Sequence, residues 1–136
     1  MLCNFQYKVR NQSGKTIVGR MLAESIENLK EDLHLFQLEV INIKKLGFID
    51  VVWQKLRYKL RKVSNKDLIL FFAKFHLALQ AEIPQPVALE TIAKTERNHF
   101  LRDSLQDISE RLFAGQSLAQ AFEHHTHIFE PAWFHQ

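Results

Sequence analysis

The stretch Pro84–Glu130 decides how the chain is read. It opens P-Q-P-V-A-L-E-T-I-A over 84–93, continues L-R-D-S-L-Q-D-I-S-E-R-L-F-A-G-Q-S-L-A-Q-A-F over 101–122, and closes H-I-F-E over 127–130. Pro84 and Pro86 stop one helix and start the next, because proline is tolerated in a first helical turn and nowhere later. Val87, Leu89, Ile92 and Ala93 supply the apolar stripe of that next helix. A further helix begins at Asn98 or its neighbour, with Leu101, Leu105, Ile108 and Leu112 at core spacing, and Gly115 is placed to end it. Ser117-x-x-Gln120 is a capping box that opens another helix at once.

Upstream the same pattern continues. Ser64-x-x-Asp67 is a capping box with Asp in place of Glu. Leu68, Phe71, Phe72, Phe75 and Leu79 are expected to form the stripe of the helix ahead of Pro84. Before Ser64 the period changes. Phe5, Tyr7 and Val9 alternate with Gln6, Lys8 and Arg10, the signature of a half-buried strand. Asn11-Gln12-Ser13-Gly14 reads as a turn and Thr16–Ala23 as the return strand of a hairpin. Ser25 caps a short helix with Ile26, Leu29 and Leu33 on one face. Leu38, Val40, Ile41 and Ile43 suggest a third strand. The fold class expected is therefore mainly α: a partial antiparallel helical bundle preceded by a small β-β-α-β module. The division expected is 1–46 for that module, 47–63 for a basic amphipathic connector, and 64–136 for the bundle.

The connector is dense in cations. Lys55, Arg57, Lys59, Arg61 and Lys62 fall between Asp50 and Asp67 with no acid among them. Val52, Leu56, Leu60 and Val63 recur at helical spacing. A basic amphipathic helix lying on an anionic membrane would look like this. A solvated connector explains the run equally and is preferred.

The totals fit a globular chain. Of 136 residues 46% are hydrophobic and 24% charged, with a net charge of +3, which is no argument for nucleic acid by itself. The 11 Phe residues bury much area per residue and make adhesive surfaces where they stay open. The single Cys3 excludes an intrachain disulfide framework and reads as an inert thiol. No basic-then-apolar leader is recognised at the N-terminus. The longest apolar run, Leu68–Ala73, is far short of the ~20 residues of a spanning helix.

No phosphate-binding glycine loop, CxxC pair or HExxH occurs. His124, His125 and His127, with Glu123 and Glu130 nearby, are the residue types that hold a transition metal. His124 and His127 share a helix face only if the helix persists past His125, so a polar helix end is preferred and no metal or cofactor is assigned. His76 is expected to pack beside the apolar stripe. No catalytic residue is assigned, and the chain is not expected to be an enzyme. The interaction candidates are Lys55, Arg57, Lys59, Arg61, Phe72, Trp133 and Phe134.

These motifs resemble the type II secretion system F protein family, the inner-membrane platform proteins. The resemblance rests on Phe71, Ala81-Glu82-Ile83-Pro84, Ala88-Leu89, Gly115-Gln116-Ser117-Leu118-Ala119-Gln120-Ala121 and Phe129. In the N-terminal module it rests on Phe5, Tyr7, Gly14-Lys15, Gly19, Ala23 and Ser25. Glu82 stands where the family turn has Gly, and a Cβ makes a left-handed conformation costlier, so this turn is expected to differ. The family pattern continues past the bundle into further helices and a membrane span, so the bundle is expected to be incomplete at Gln136.

The resemblance implies a cytoplasmic scaffold region at the bacterial inner membrane, serving type II secretion or type IV pilus assembly. Its implied partners are the assembly ATPase and other inner-membrane components. It implies contact with the membrane through segments absent from this chain, and no nucleic acid. An incomplete bundle leaves apolar surface wet, so a homodimer or higher assembly is expected. A stand-alone helical adaptor, or a weak nucleic-acid-binding module using residues 55–62, is the alternative.

Overall fold

The computed structural model describes residues 2–49 and 63–129. The order is β1 (Leu2–Arg10), β2 (Thr16–Ala23), α1 (Ile26–Leu35), β3 (Glu39–Ile49), α2 (Asn65–Gln80), α3 (Gln85–Thr95), α4 (His99–Phe113), α5 (Leu118–Glu123) and α6 (Thr126–Phe129). A small sheet followed by helices is the class the sequence predicts. The third strand runs past Leu46 to Ile49, into the residues read as connector.

The sheet has the order β2-β1-β3, with β1 central and antiparallel to both neighbours. Alternation along β1 puts Phe5, Tyr7 and Val9 in the core, where Leu29 and Leu33 of α1 also lie. The hairpin turn closes as read. Asn11 Oδ1 accepts from the Lys15 amide at 2.9 Å, and Gly14 takes a φ of 87°. Two register shifts leave Ile41 and Leu46 as extra residues on β3, and both are exposed.

Four helix starts are capped by side chains. Ser25 Oγ accepts from the Asn28 amide. Ser64 and Asp67 exchange two 3.1 Å bonds, and Ser117 and Gln120 do the same at 3.0 and 3.2 Å. Asn98 Oδ1 accepts from Phe100 and Leu101, while Asn98 Nδ2 donates to Asp67 Oδ2 at 3.2 Å, tying the starts of α2 and α4 together.

Three helix ends share one device. After α1, α2 and α4 a residue turns left-handed: Gln37 at 59°, Glu82 at 65° and Gly115 at 101°. The next amide then reaches back to the helix, Leu38 to Leu33 O, Ile83 to Ala78 O and Gln116 to Arg111 O, each at 3.0 Å. Glu82 thus adopts the conformation the sequence reading expected it to avoid. Its carboxylate accepts from Lys15 Nζ at 2.8 Å, anchoring the turn to the hairpin. A left-handed residue with a Cβ costs roughly 1 kcal/mol, and an ion pair this exposed returns less than that. Glu82→Gly and Gln37→Gly are therefore expected to raise stability by about 0.5–1 kcal/mol each. Gly115→Ala is expected to lower it by about 1 kcal/mol. Urea midpoints of the three variants check the signs.

The stripes are rotated from their expected positions. In α2 the buried set is Leu68, Phe71, Phe75, Leu77 and Ala78, while Phe72 and Leu79 face outward. The cause is that α2 is covered on two sides, by β2 and by α3. In α3 the buried set is Ala88, Leu89, Ile92 and Ala93, and Val87 is exposed. In α4 Ser104 and Ser109 are buried beside Leu101, Leu105 and Ile108, and Leu112 is only partly covered. Small Ala and Ser side chains let α3 and α4 approach closely. Ser109 Oγ is satisfied by donating to Pro86 O at 2.8 Å. His76 is exposed rather than packed, because it follows Phe75 on the outer side of α2.

Candidate interaction surface

The sheet and the helices meet along α2. Tyr7 Oη donates to Gln80 Oε1 at 2.7 Å, and burial pushes the phenol pKa up. Lys66 pairs with Glu24 at 3.2 Å, and Lys74 lies 3.7 Å from Asp32. Beside these pairs is a cleft of about 240 Å³, lined by residues that include Asn28, Glu31 and Asp32 of α1, Leu70 and Lys74 of α2, and Glu96. Asp32 is pushed up to about 6, first by burial, then with Glu31 and Glu96 adding repulsion against the attraction of Lys74. Charged groups reach the cleft from both walls among apolar ones, and the Lys74–Asp32 pair links the helical part to α1.

A second surface is aromatic. Phe71 is fully buried, stacked on Phe75 at 5.8 Å and tilted against Phe72 at 5.0 Å. Phe129 of α6 touches both Phe71 and Phe72, and Phe122 meets it edge-on at 4.7 Å. Phe72 is 46% exposed at the outer end of this row. Aromatic side chains such as this one are enriched at protein interfaces.

The histidines do something the sequence did not disclose. The helix ends at Glu123, so His124 and His127 do not share one helix face. His125 Nε2 instead lies 2.6 Å from Asp107 Oδ2, and Arg111 Nε donates to the same oxygen at 2.8 Å. The Arg111 bond first, then His125, holds the Asp107 carboxyl below its usual range. Because that value is depressed, the stability it supplies is present above about 3.8 and is lost only as pH falls further. The trio binds the α5–α6 turn to α4. Eighteen residues separate Asp107 from His125, and no local pattern announces the pair. Among the described residues no group of three His, Cys, Asp or Glu is arranged to hold a metal ion.

Lys55, Arg57, Lys59, Arg61, Trp133 and Phe134 lie outside the described residues; of the interaction candidates Phe72 alone lies within them. Cys3 is buried, and among the described residues no helix is long and apolar enough to cross a membrane.

The chain is similar to the Type IV pilus assembly protein PilC of Myxococcus xanthus (strain DK1622). Identity is 22% over 126 residues, covering 93% of this chain and 30% of PilC. The chain thus spans under a third of the length of that curated relative. No family model matches the chain, and no solved structure matches it. The likeness to PilC runs through both the sheet module and the helices, since it leaves out only a small fraction of the residues.

Proposed function

We propose that this chain is a scaffold region of a bacterial machine that assembles pili or the related filaments of type II secretion. It acts by protein contacts at the cytoplasmic face of the inner membrane and performs no bond-making chemistry. The observation that carries this reading is the likeness to PilC across nearly the entire chain. The architecture supports it: α2 and α4, the two longest helices, start on side-chain caps, and the sheet is bonded to α2, so a push on one part is carried to the other. The assembly ATPase and other membrane components of the machine are the proposed partners. Phe72 and the basic side chains Lys55, Arg57, Lys59 and Arg61 are the proposed contacts, with Trp133 and Phe134.

Deletion of the gene in its host is expected to abolish surface pili or secretion of the machine's substrate while leaving ATPase abundance unchanged. A deletion strain that assembles and secretes normally overturns the reading. Within the complex, Phe72→Ala is expected to weaken capture of the partner by roughly tenfold or more, the usual loss at an aromatic hot spot. Equal capture by the variant removes Phe72 from the interface.

A further inference from the structure

The sheet has a second face that the core does not use. Strand alternation and register place Lys8 and Arg10 of β1, Arg20 of β2 and Lys44 of β3 on the side opposite Phe5, Tyr7 and Val9. Gln6 pairs with Arg20 on one side and Lys44 on the other, and Lys8 lies between Val18 and Asn42. Adjacent strands are about 4.8 Å apart, so one row across the sheet spans roughly 10 Å. Arg20 and Lys44 sit in that row and Lys8 lies two residues along it, all within about a Debye length at physiological salt, so these three charges act as one field. All four side chains are exposed, and among the described residues none of them makes an ion pair. Glu39, opposite Arg10, is the acid that shares the face.

Charge is polarised along the chain in the same sense. Residues 1–63 hold twelve Lys and Arg against six acids, whereas 64–136 hold six against nine. We propose that this outer sheet face docks on an anionic phospholipid bilayer, with the acidic helical half turned away from it. A bilayer offers a broad anionic surface that can meet cations spread over three strands at once. Single-stranded nucleic acid is held in grooves by stacking aromatics, and the aromatic residues of β1, Phe5 and Tyr7, point into the core instead. Val18, 55% exposed beside Lys8, supplies an apolar side chain at the level of the headgroups.

The test is sedimentation of the full chain with vesicles of phosphatidylcholine, with and without phosphatidylglycerol. Binding is expected only with the anionic lipid and is expected to fall as salt rises. A cation near such a surface contributes roughly fivefold in partition. The triple variant Lys8→Gln, Arg20→Gln, Lys44→Gln is therefore expected to lose about a hundredfold, and Lys8→Arg with Lys44→Arg to keep binding. Lys94→Gln with Arg102→Gln, on the helices, is expected to change nothing. These positions are exposed, Arg102 partly so, and an unchanged circular dichroism spectrum confirms folding. Wild-type binding by the triple variant overturns the proposal. So does a chain that ignores anionic vesicles but binds duplex DNA or polyglutamate through the same lysines. Vesicle binding and pilus assembly are independent readouts, so either can fail alone.

Discussion

Gly19→Ala is expected to destabilise the protein by about 2–4 kcal/mol, even though Gly19 needs no unusual backbone conformation. A Cβ at this position would lie 2.4 Å from Tyr7 Oη, 2.7 Å from Tyr7 Cζ and 2.8 Å from Gln80 Oε1. The buried Tyr7 ring cannot step aside cheaply, and Gln80 can swing away only by giving up its bond to Tyr7. Tyr7 is 1% exposed, and its hydroxyl is bonded to Gln80 across the seam between sheet and helix. If the ring rotates away, a buried hydrogen bond is lost at roughly 1–3 kcal/mol. If α2 shifts instead, the overpacking costs a similar 1–3 kcal/mol. Gly14→Ala is the control: its φ is 87° but nothing lies within 4 Å, so only the backbone cost of about 1 kcal/mol applies. Thermal unfolding is expected to rank the variants wild type, Gly14→Ala, Gly19→Ala. The last should fall by roughly 10 °C, at a few degrees per kcal/mol for a domain of this size. A Gly19→Ala protein melting with the wild type would show that the seam yields without cost.

The elements themselves were legible because each has a local cause. Period-two alternation named β1, turn chemistry named the hairpin, and Ser64, Asn98 and Ser117 named three helix starts from their own side chains. What the chain did not disclose locally was which way each helix faces. Phe72 and Phe75 are equally apolar, and only the presence of β2 on one side and α3 on another decides that Phe75 is buried and Phe72 half open. Ser104 and Ser109 are not among the core positions expected for their helix, because their burial depends on close approach by α3, and the partner of Ser109 is a carbonyl 23 residues away. Glu82 shows the same limit for backbone conformation. Propensity argues against a left-handed Glu, but the 6→1 bond of Ile83 and the reach of Lys15 from the hairpin impose it. The aromatic row was half visible. Phe72 was named both in the apolar stripe and among the interaction candidates, whereas its contact with Phe129 depends on the short α6, which follows α5 after the His125 turn.

Asp32 provides the largest pH-dependent effect. Its side chain is 14% exposed, with Lys74 3.7 Å away at 18%, Glu31 beside it on α1 and Glu96 facing it from the end of α3. The ion pair is too long and too buried to offset the loss of solvent, so the folded carboxyl titrates at about 6 instead of 3.8. The folded state therefore holds the proton more tightly than the unfolded chain. Stability from this group is complete below 3.8 and is lost as pH rises through about 6, by roughly 3 kcal/mol at most. Asp107 acts in the opposite sense but below 3.8, so the two windows do not overlap. Asp32→Asn, which mimics the protonated carboxyl, is expected to stabilise the protein at pH 7.5 and leave it unchanged at pH 4. Lys74→Met removes the one attraction and is expected to destabilise at pH 7.5 and steepen the dependence on pH. Urea unfolding of the three proteins from pH 4 to 7.5 tests this. An Asn variant that keeps the wild-type slope would show that Asp32 is hydrated and that the cleft between α1 and α2 carries no electrostatic strain.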